Sequence, residues 1–339
     1  MRRTSKVVSA FAILAILGPA RLIGAPWQFV VVGDSRGNHN GVNTPILSEI
    51  AAEIVARDAD FVLFPGDLVT GSTSQIALRS QLTNWVNTMQ PVYDAGVDVY
   101  PCRGNHDTGS KTVWDEIFSG TYALPANGPT GQENVTFSAS HNNAFILGLD
   151  QYVTRHRVNQ TWVNAQLAQN NKPHVFAFGH EPAFKAQHAD CLDDYPSNRD
   201  TFLASLEGAN ARTYFAGHDH FYDHARIDDD GDPSNDIHQF IVGTAGAPLR
   251  EWTINYDGSN SGYTVANVNH AKQYGYMLCE VDGLEVTLTW TERVSAGTYE
   301  AAEVWSYTAV PEPTGLLLLA LGSLATATGR HRRAPGTSV

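Results

Sequence analysis

Cysteine is scarce in this chain: Cys102, Cys191 and Cys279 are the only three among 339 residues. An odd, sparse set excludes a disulfide framework. It leaves room for one bridge, Cys102 with Cys191, or for three small buried thiols. Basic residues are also few, 22 against 35 acidic ones, for a net charge of -13. Seven of those bases lie near the termini (Arg2, Arg3, Lys6, Arg21, Arg330, Arg332 and Arg333), where Glu312 is the one acid. The middle of the chain is therefore strongly acidic and repels polyanions, so no nucleic acid is expected as a partner. Repeats with a period of 20–50 residues are absent too, which excludes a solenoid or propeller. What is present is apolar: 42% hydrophobic residues, enough for a sizeable core.

Both ends have the pattern of targeting segments. Arg2, Arg3 and Lys6 precede an apolar run from Val7 to Ala20, then small residues to Ala25. This is the pattern of a signal peptide over residues 1–25, cleaved after Ala25 or Ala20. At the other end, Val310-Pro311-Glu312-Pro313 precedes an apolar stretch, Thr314–Gly329, and then Arg330-His331-Arg332-Arg333. As a helix that stretch rises about 24 Å, slightly short of a roughly 30 Å hydrocarbon core. The arginines would stay on the cytoplasmic side. Residues 310–333 resemble the PEP-CTERM sorting signal of bacterial exported proteins, with a tail at 334–339. The resemblance implies an exosortase-type processing enzyme as partner and transient membrane anchoring through this helix. It also implies delivery to the cell surface or extracellular matrix. Residues 26–309 are then the functional domain.

Within that domain, Gln28–Val32, Phe61–Phe64 and Val97–Cys102 read as buried strands. Between them, Thr44 is expected to cap one helix, with Pro45 in its first turn, and Ser74–Gln90 is expected to form another. This β-α-β-α-β order is that of an α/β domain with partly parallel strands. Paired strands follow at Val135–Ala139 and Ala144–Leu149, and then a helix at Gln160–Gln169. Strands at His174–Phe178 and Arg212–Ala216 flank a helix at Arg199–Glu207. Later strands are expected at Gln239–Val242, Tyr276–Val281, Glu285–Trp290 and Ala302–Tyr307.

Five of the apolar runs end in glycine and then a polar group. These ends are Gly33-Asp34, Gly66-Asp67, Gly104-Asn105-His106-Asp107, Gly179-His180 and Gly217-His218-Asp219-His220. Functional residues of α/β sheets gather beyond the carboxyl ends of strands. Imidazole and carboxylate ligands suit zinc, manganese or iron, and an aspartate between two such ions bridges them. Taken together, these motifs resemble the calcineurin-like metallophosphoesterase superfamily over roughly residues 28–245. The resemblance implies a four-layer α/β/β/α sandwich of two packed mixed sheets and two divalent or mixed-valence metal ions (Mn, Zn or Fe). It implies hydrolysis of phosphate mono- or diesters of a small phosphorylated substrate by a metal-bound hydroxide. Asp67 would bridge the ions. Asp34 and His220 would hold the first ion, and Asn105, His180 and His218 the second. His106 would donate a proton to the leaving group, oriented by Asp107.

One position departs from the family pattern. The first motif ordinarily has histidine two residues after its aspartate; here Arg36 stands there. The purple acid phosphatase branch places a tyrosine three residues after the second aspartate; here that residue is Thr70. Arg36 stays protonated and cannot be a ligand. It is expected to grip a substrate phosphate bidentately, or else to form a structural ion pair. Water or His39 would fill the missing place on the first ion. Tyr222 and His224 are expected to pack, Arg103 to support Asn105 from behind, and Asp228–Asp236 to form a solvated acidic loop. The competing class is a surface or matrix binding protein that keeps the fold but has lost catalysis.

Overall fold

The computed structural model describes residues 25–253, 256 and 261–309. Its first half holds β1 (Trp27–Val31), a ribbon of β2 (Arg36–Gly37) and β3 (Gly41–Val42), α1 (Thr44–Ala56), β4 (Phe61–Phe64), α2 (Gln75–Asp94), β5 (Asp98–Pro101) and α3 (Lys111–Ile117). Next come β6 (Phe137–His141), β7 (Ala144–Leu149), α4 (Gln160–Gln169), β8 (His174–Gly179), α5 (Pro196–Glu207) and β9 (Thr213–Ala216). The last part is all strand: β10 (Tyr222–Asp228), β11 (Ile237–Val242), β12 (Thr264–Ala271), β13 (Gly275–Asp282), β14 (Glu285–Ser295) and β15 (Thr298–Thr308).

Two mixed sheets result, one ordered β15-β14-β13-β1-β4-β5 and the other β12-β10-β11-β9-β8-β7-β6. Strands β1, β4 and β5 run parallel, as do β7, β8, β9 and β11. Side chains alternate along each strand, so every strand serves two layers. Phe29 of β1 meets Phe176 at 4.8 Å and Phe215 at 6.3 Å across the gap between the sheets. The alternate residues Val175, Ala177, Tyr214 and Ala216 face a second core with Val163 of α4 and Phe202, Leu203 and Leu206 of α5. On the far side, Ile46, Leu47, Ile50 and Ile54 of α1 and Leu78, Leu82, Trp85 and Met89 of α2 are buried with the first sheet. The layers are helix, sheet, sheet, helix, as the motifs imply. Each fully buried Leu, Ile or Phe side chain contributes about 1.5–3 kcal/mol.

Several local expectations change. Asn43, not Thr44, occupies the cap position of α1. Its side chain donates to the Gly246 carbonyl at 2.6 Å, so it ties the helix to the second sheet's loops instead of capping. Helix α2 is capped by Ser74 and continues through Pro91 to Asp94. The proline removes one backbone donor there, while buried Met89 and Val92 hold the last turn. Helix α3 and strands β10 and β12 were not expected. The three cysteines are free and buried, so the Cys102–Cys191 bridge does not form. Among the described residues no helix is long and apolar enough to cross a membrane. The expected signal peptide (all but its last residue) and the apolar stretch 314–329 lie outside the described residues.

Strand direction also sets where the chain enters and leaves. Trp27 pairs with Val281, Asp282 with Glu285, and Glu285 with Thr308. The start of β1 and the end of β15 therefore lie at the same end of the strands, with β13 and β14 between them. Asp34 follows the other end of β1.

Candidate metal centre

The parallel strands bring the five glycine-polar ends to one edge of the sandwich. Backbone bonds lace these ends together. Gly33 N–H donates to Val242 O (2.9 Å), Asp34 N–H to Gly66 O (3.0 Å), Ser35 N–H to Asp67 O (3.0 Å) and Gly217 N–H to His180 O (2.9 Å). Asp34, Asp67 and His218 have φ of +61°, +51° and +72°, a sparsely populated region for residues with a side chain. The glycines allow close approach. A Cβ on Gly104 would lie 2.1 Å from Asp67 Oδ1, and one on Gly217 would lie 2.3 Å from Asp34 Oδ2. A side chain on Gly104 would displace the Asp67 carboxylate, and one on Gly217 the Asp34 carboxylate.

The proton positions follow from the hydrogen bonds. His180 Nδ1–H donates to the Pro65 carbonyl at 2.8 Å, which leaves Nε2 with a bare lone pair. That nitrogen lies 3.2 Å from Asn105 Oδ1, 3.5 Å from Asp67 Oδ1 and 3.1 Å from His218 Nδ1. The other nitrogen of His218, Nε2, faces Asp190 Oδ1 at 3.4 Å. The Asn105 and Asp67 oxygens thus face the bare Nε2 of His180, a repulsive arrangement that a cation relieves, and His180 has the outer hydrogen bond typical of a ligating histidine; His218 Nε2 has the ion-pair contact with Asp190 but no hydrogen bond. The same pattern recurs beside it. His220 Nδ1–H donates to the Pro248 carbonyl at 3.1 Å, and its Nε2 lies 3.5 Å from Asp34 Oδ1. Asp34 Oδ2 accepts from His218 N–H at 3.0 Å, while Oδ1 is buried without a hydrogen bond. Donor atoms of Asp34, Asp67 and His180 lie within 4.8 Å of one another.

Electrostatics agree with this donor set except at His218: burial lowers that imidazole, but Asp190, Asp219 and Asp67 overcome it and leave it above its ordinary value. Burial, reinforced by the Asp67 charge, holds the Asp34 carboxyl well above the ordinary range. Burial also pushes Asp67 up, but His180 and His106 overcome it and leave that carboxyl below its ordinary value. Burial drives His180 down to about 4, and burial with the Arg36 charge drives His220 down to about 3. A neutral imidazole with a free lone pair is the form that binds metal; the Nε2 of His180 is of that kind, while the Nε2 of His220 faces Arg36 Nη2 at 3.3 Å.

Other expected residues are placed as follows. Arg36 Nε lies 3.5 Å from Asp67 Oδ2, and Arg36 Nη2 lies 3.3 Å from His220 Nε2. His106 is half-buried at the rim. Its N–H donates to Asp67 Oδ1 at 3.0 Å, and its Nε2 lies 3.8 Å from Asp67 Oδ2. Asp107 does not orient that ring. Its buried carboxylate accepts from the N–H groups of Gly104, Leu68 and Val69 at 2.8, 3.2 and 3.3 Å, fastening the Asp67 loop to the Asn105 loop. The ring of His106 is oriented instead by the Thr70 carbonyl, 2.7 Å from Nδ1. Arg103 forms a buried pair with Asp150 at 2.7 Å behind Asn105. His39 is exposed and bonds through its backbone. Tyr222 and His224 pack away from the centre against Glu303.

His188 and Asp190 were not singled out from the sequence. The middle acid of Gly217-His218-Asp219-His220 is the signal that finds them. Buried Asp219 accepts from the N–H groups of Gln187 (2.9 Å) and His188 (3.0 Å) and from His188 Nδ1 (2.5 Å). This lays the His188 ring 4.4 Å from that of His218.

A family model described as calcineurin-like phosphoesterase matches residues 28–222, more than half of the chain, and a PEP-CTERM protein-sorting motif matches residues 309–333. No curated protein matches significantly. Among solved structures, the purple acid phosphatase PPD1 from yellow lupin (Lupinus luteus) is similar at 14% identity and a TM-score of 0.64, over 84% of this chain and 54% of that one. The present chain thus spans about half the length of that enzyme. A dimetal phosphatase from Danio rerio is similar at 13% identity and a TM-score of 0.54, over 84% of this chain and 99% of that one. GAP50, described as the anchor in the inner membrane complex of Plasmodium, is similar at 12% identity and 0.57, over 84% and 89%. At these identities the likeness is one of fold.

Proposed function

Because this chain belongs to the calcineurin-like phosphoesterase family, we propose that it hydrolyses phosphate mono- or diesters with a divalent metal ion held by Asp67, Asn105, His180 and His218. The observation that carries this reading is the pair of oxygens, Asn105 Oδ1 and Asp67 Oδ1, facing the bare Nε2 of His180, with that ring already oriented from outside by the Pro65 carbonyl. The family implies a second ion at Asp34, Asp67 and His220, and Arg36 stands at that position. A divalent ion supplies Lewis-acid charge to a phosphoryl oxygen and a nucleophilic water at neutral pH.

The chain's own residues do the rest. Arg36 offers planar N–H donors to a phosphate beside the Asp67 carboxylate. As an imidazolium, His106 keeps its Nδ1 proton on the Thr70 carbonyl and gives its Nε2 proton to the departing alkoxide. Asp107 keeps the loops of Asp67 and Asn105 in register, so its contribution is positional. Residues 26–309 form the phosphoesterase domain in this reading. Residues 1–25 direct export, and residues 310–333 anchor the protein transiently before surface or matrix delivery. The sorting motif implies exosortase-type processing and cell-surface association.

One observation favours a second reading, a binding protein without chemistry: a structure of the same fold is described as an anchor. A single assay separates the two. The purified protein, reconstituted with Mn, Zn or Fe, is analysed for bound metal and offered a matched panel of phosphate mono- and diesters. Bound metal with turnover of either ester class is expected. No metal and no turnover would favour the binding protein.

A further inference from the structure

We propose that the Arg36 guanidinium takes the place of the first metal ion, so that the protein holds one divalent ion per chain. The proposal rests on the reading of the centre as a phosphoesterase metal site and deepens it.

The first position has three protein ligands by family pattern, Asp34, Asp67 and His220, and Arg36 engages two of them. Its Nε faces Asp67 Oδ2 at 3.5 Å, and its Nη2 faces His220 Nε2 at 3.3 Å. The proton of His220 is committed to the Pro248 carbonyl, so Nε2 is the acceptor and Nη2–H the donor. An imidazole lone pair engaged by a guanidinium is not free for a metal. Arg36 Nε is buried with the Asp67 ion pair but no hydrogen bond, and the side chain is 20% exposed. A guanidinium cannot shed its proton, so the positive charge is permanent.

The residue is also fixed from behind. Arg36 pairs with Val42 in the β2–β3 ribbon. The preceding Ser35 is held by Asn43 N–H to its carbonyl (2.7 Å), by its hydroxyl to Leu68 O (2.8 Å) and by Trp85 Nε1–H to that hydroxyl (3.0 Å). The second position differs. Around His180 Nε2 the neighbours are Asn105 Oδ1, Asp67 Oδ1 and His218 Nδ1, with no guanidinium or ammonium among them. A second divalent ion would sit about 3.5–4 Å from the first, among the atoms Arg36 already contacts, and like charges would repel it. The guanidinium keeps a fixed cation beside the bridging carboxylate. It supplies hydrogen-bond donors in a plane, where an ion would supply an open coordination site.

The test is metal stoichiometry, read without turnover. The full chain is loaded with Mn(II), desalted and measured by elemental analysis and electron paramagnetic resonance. One Mn per chain, with the hyperfine pattern of an isolated ion, is expected. Arg36→His should raise the content to two and give an exchange-coupled spectrum. His220→Ala should keep the single ion, and His180→Ala should lose it. Two ions in the unaltered chain, or a coupled spectrum, would overturn the proposal while leaving the phosphoesterase reading intact. No bound ion in the unaltered chain would overturn both. If Arg36→His does not fold, the unaltered chain and His220→Ala still decide the question.

Discussion

Two buried polar clusters occupy this sandwich, and both are rich in histidine and carboxylate. Between β10, β11 and β15, Glu303 accepts from His224 Nδ1 (2.6 Å), Tyr222 Oη (2.8 Å) and Asn269 Nδ2 (2.9 Å). His224 Nε2 and His238 Nδ1 share one hydrogen at 2.6 Å. Among the described residues, none of these five side chains has a buried polar atom without a partner. At the candidate centre, lone pair faces lone pair and Asp34 Oδ1 has no hydrogen bond. Burial and residue type do not separate the two clusters. The balance of donors and acceptors does: a satisfied network stiffens the fold, and an unsatisfied one waits for a cation.

The largest effect should come from the residue that both halves of the open cluster share. Asp67→Ala should lower kcat/KM roughly a thousandfold, about 4 kcal/mol of transition-state stabilisation, and release metal in elemental analysis. Retained metal and activity would erase the distinction between the clusters. His106→Ala should keep metal and lose roughly a hundredfold in kcat on alkyl phosphates. On nitrophenyl esters, which need little help to leave, the loss should be under tenfold; equal losses on both would remove the acid role. The closed cluster should respond in the opposite way. Glu303→Gln removes one acceptor from a buried network, so stability should fall by about 1–3 kcal/mol in chemical denaturation, with kinetics and metal content unchanged.

The smallest effect concerns Asp223, next to the closed cluster. It accepts from Trp252 Nε1 (2.7 Å), Tyr256 Oη (2.6 Å) and Asn267 Nδ2 (2.9 Å). Burial outweighs these donors and raises the carboxyl to about 7. A raised folded-state value favours the protonated form. The stabilising contribution is therefore full below pH 4 and is lost as pH rises toward 7. Asp223→Asn should flatten that part of the stability profile, measured by denaturant midpoints at pH 4.5 and pH 7. An unchanged slope would mean that Asp223 is ionised throughout.

Much of the open cluster was legible because every candidate ligand except His220 follows a glycine at the end of an apolar run. Asp34, Asp67, Asn105, His180 and His218 all obey that rule, and the structure brings them together. The closed cluster was not legible, because its parts carry no local signal. Glu303 and His224 are 79 residues apart, and β12 alternates between half-buried and exposed positions without a hydrophobic face. The role of Asp107 was misread for a related reason. A sequence neighbour of His106 looks like its partner, but the carboxylate turns inward to three backbone N–H groups. Arg36 was recognised as anomalous from the motif alone, yet its contact with His220 needed the fold, since 184 residues separate them.

The polarity of β15 has a consequence for how the molecule is held. Thr308 joins Glu285 and, through β13, the edge where Trp27 begins, whereas the polar ends of β1, β4 and β5 open on the far edge. A tether attached after residue 309 would therefore pull on the end of the sandwich opposite the candidate metal centre.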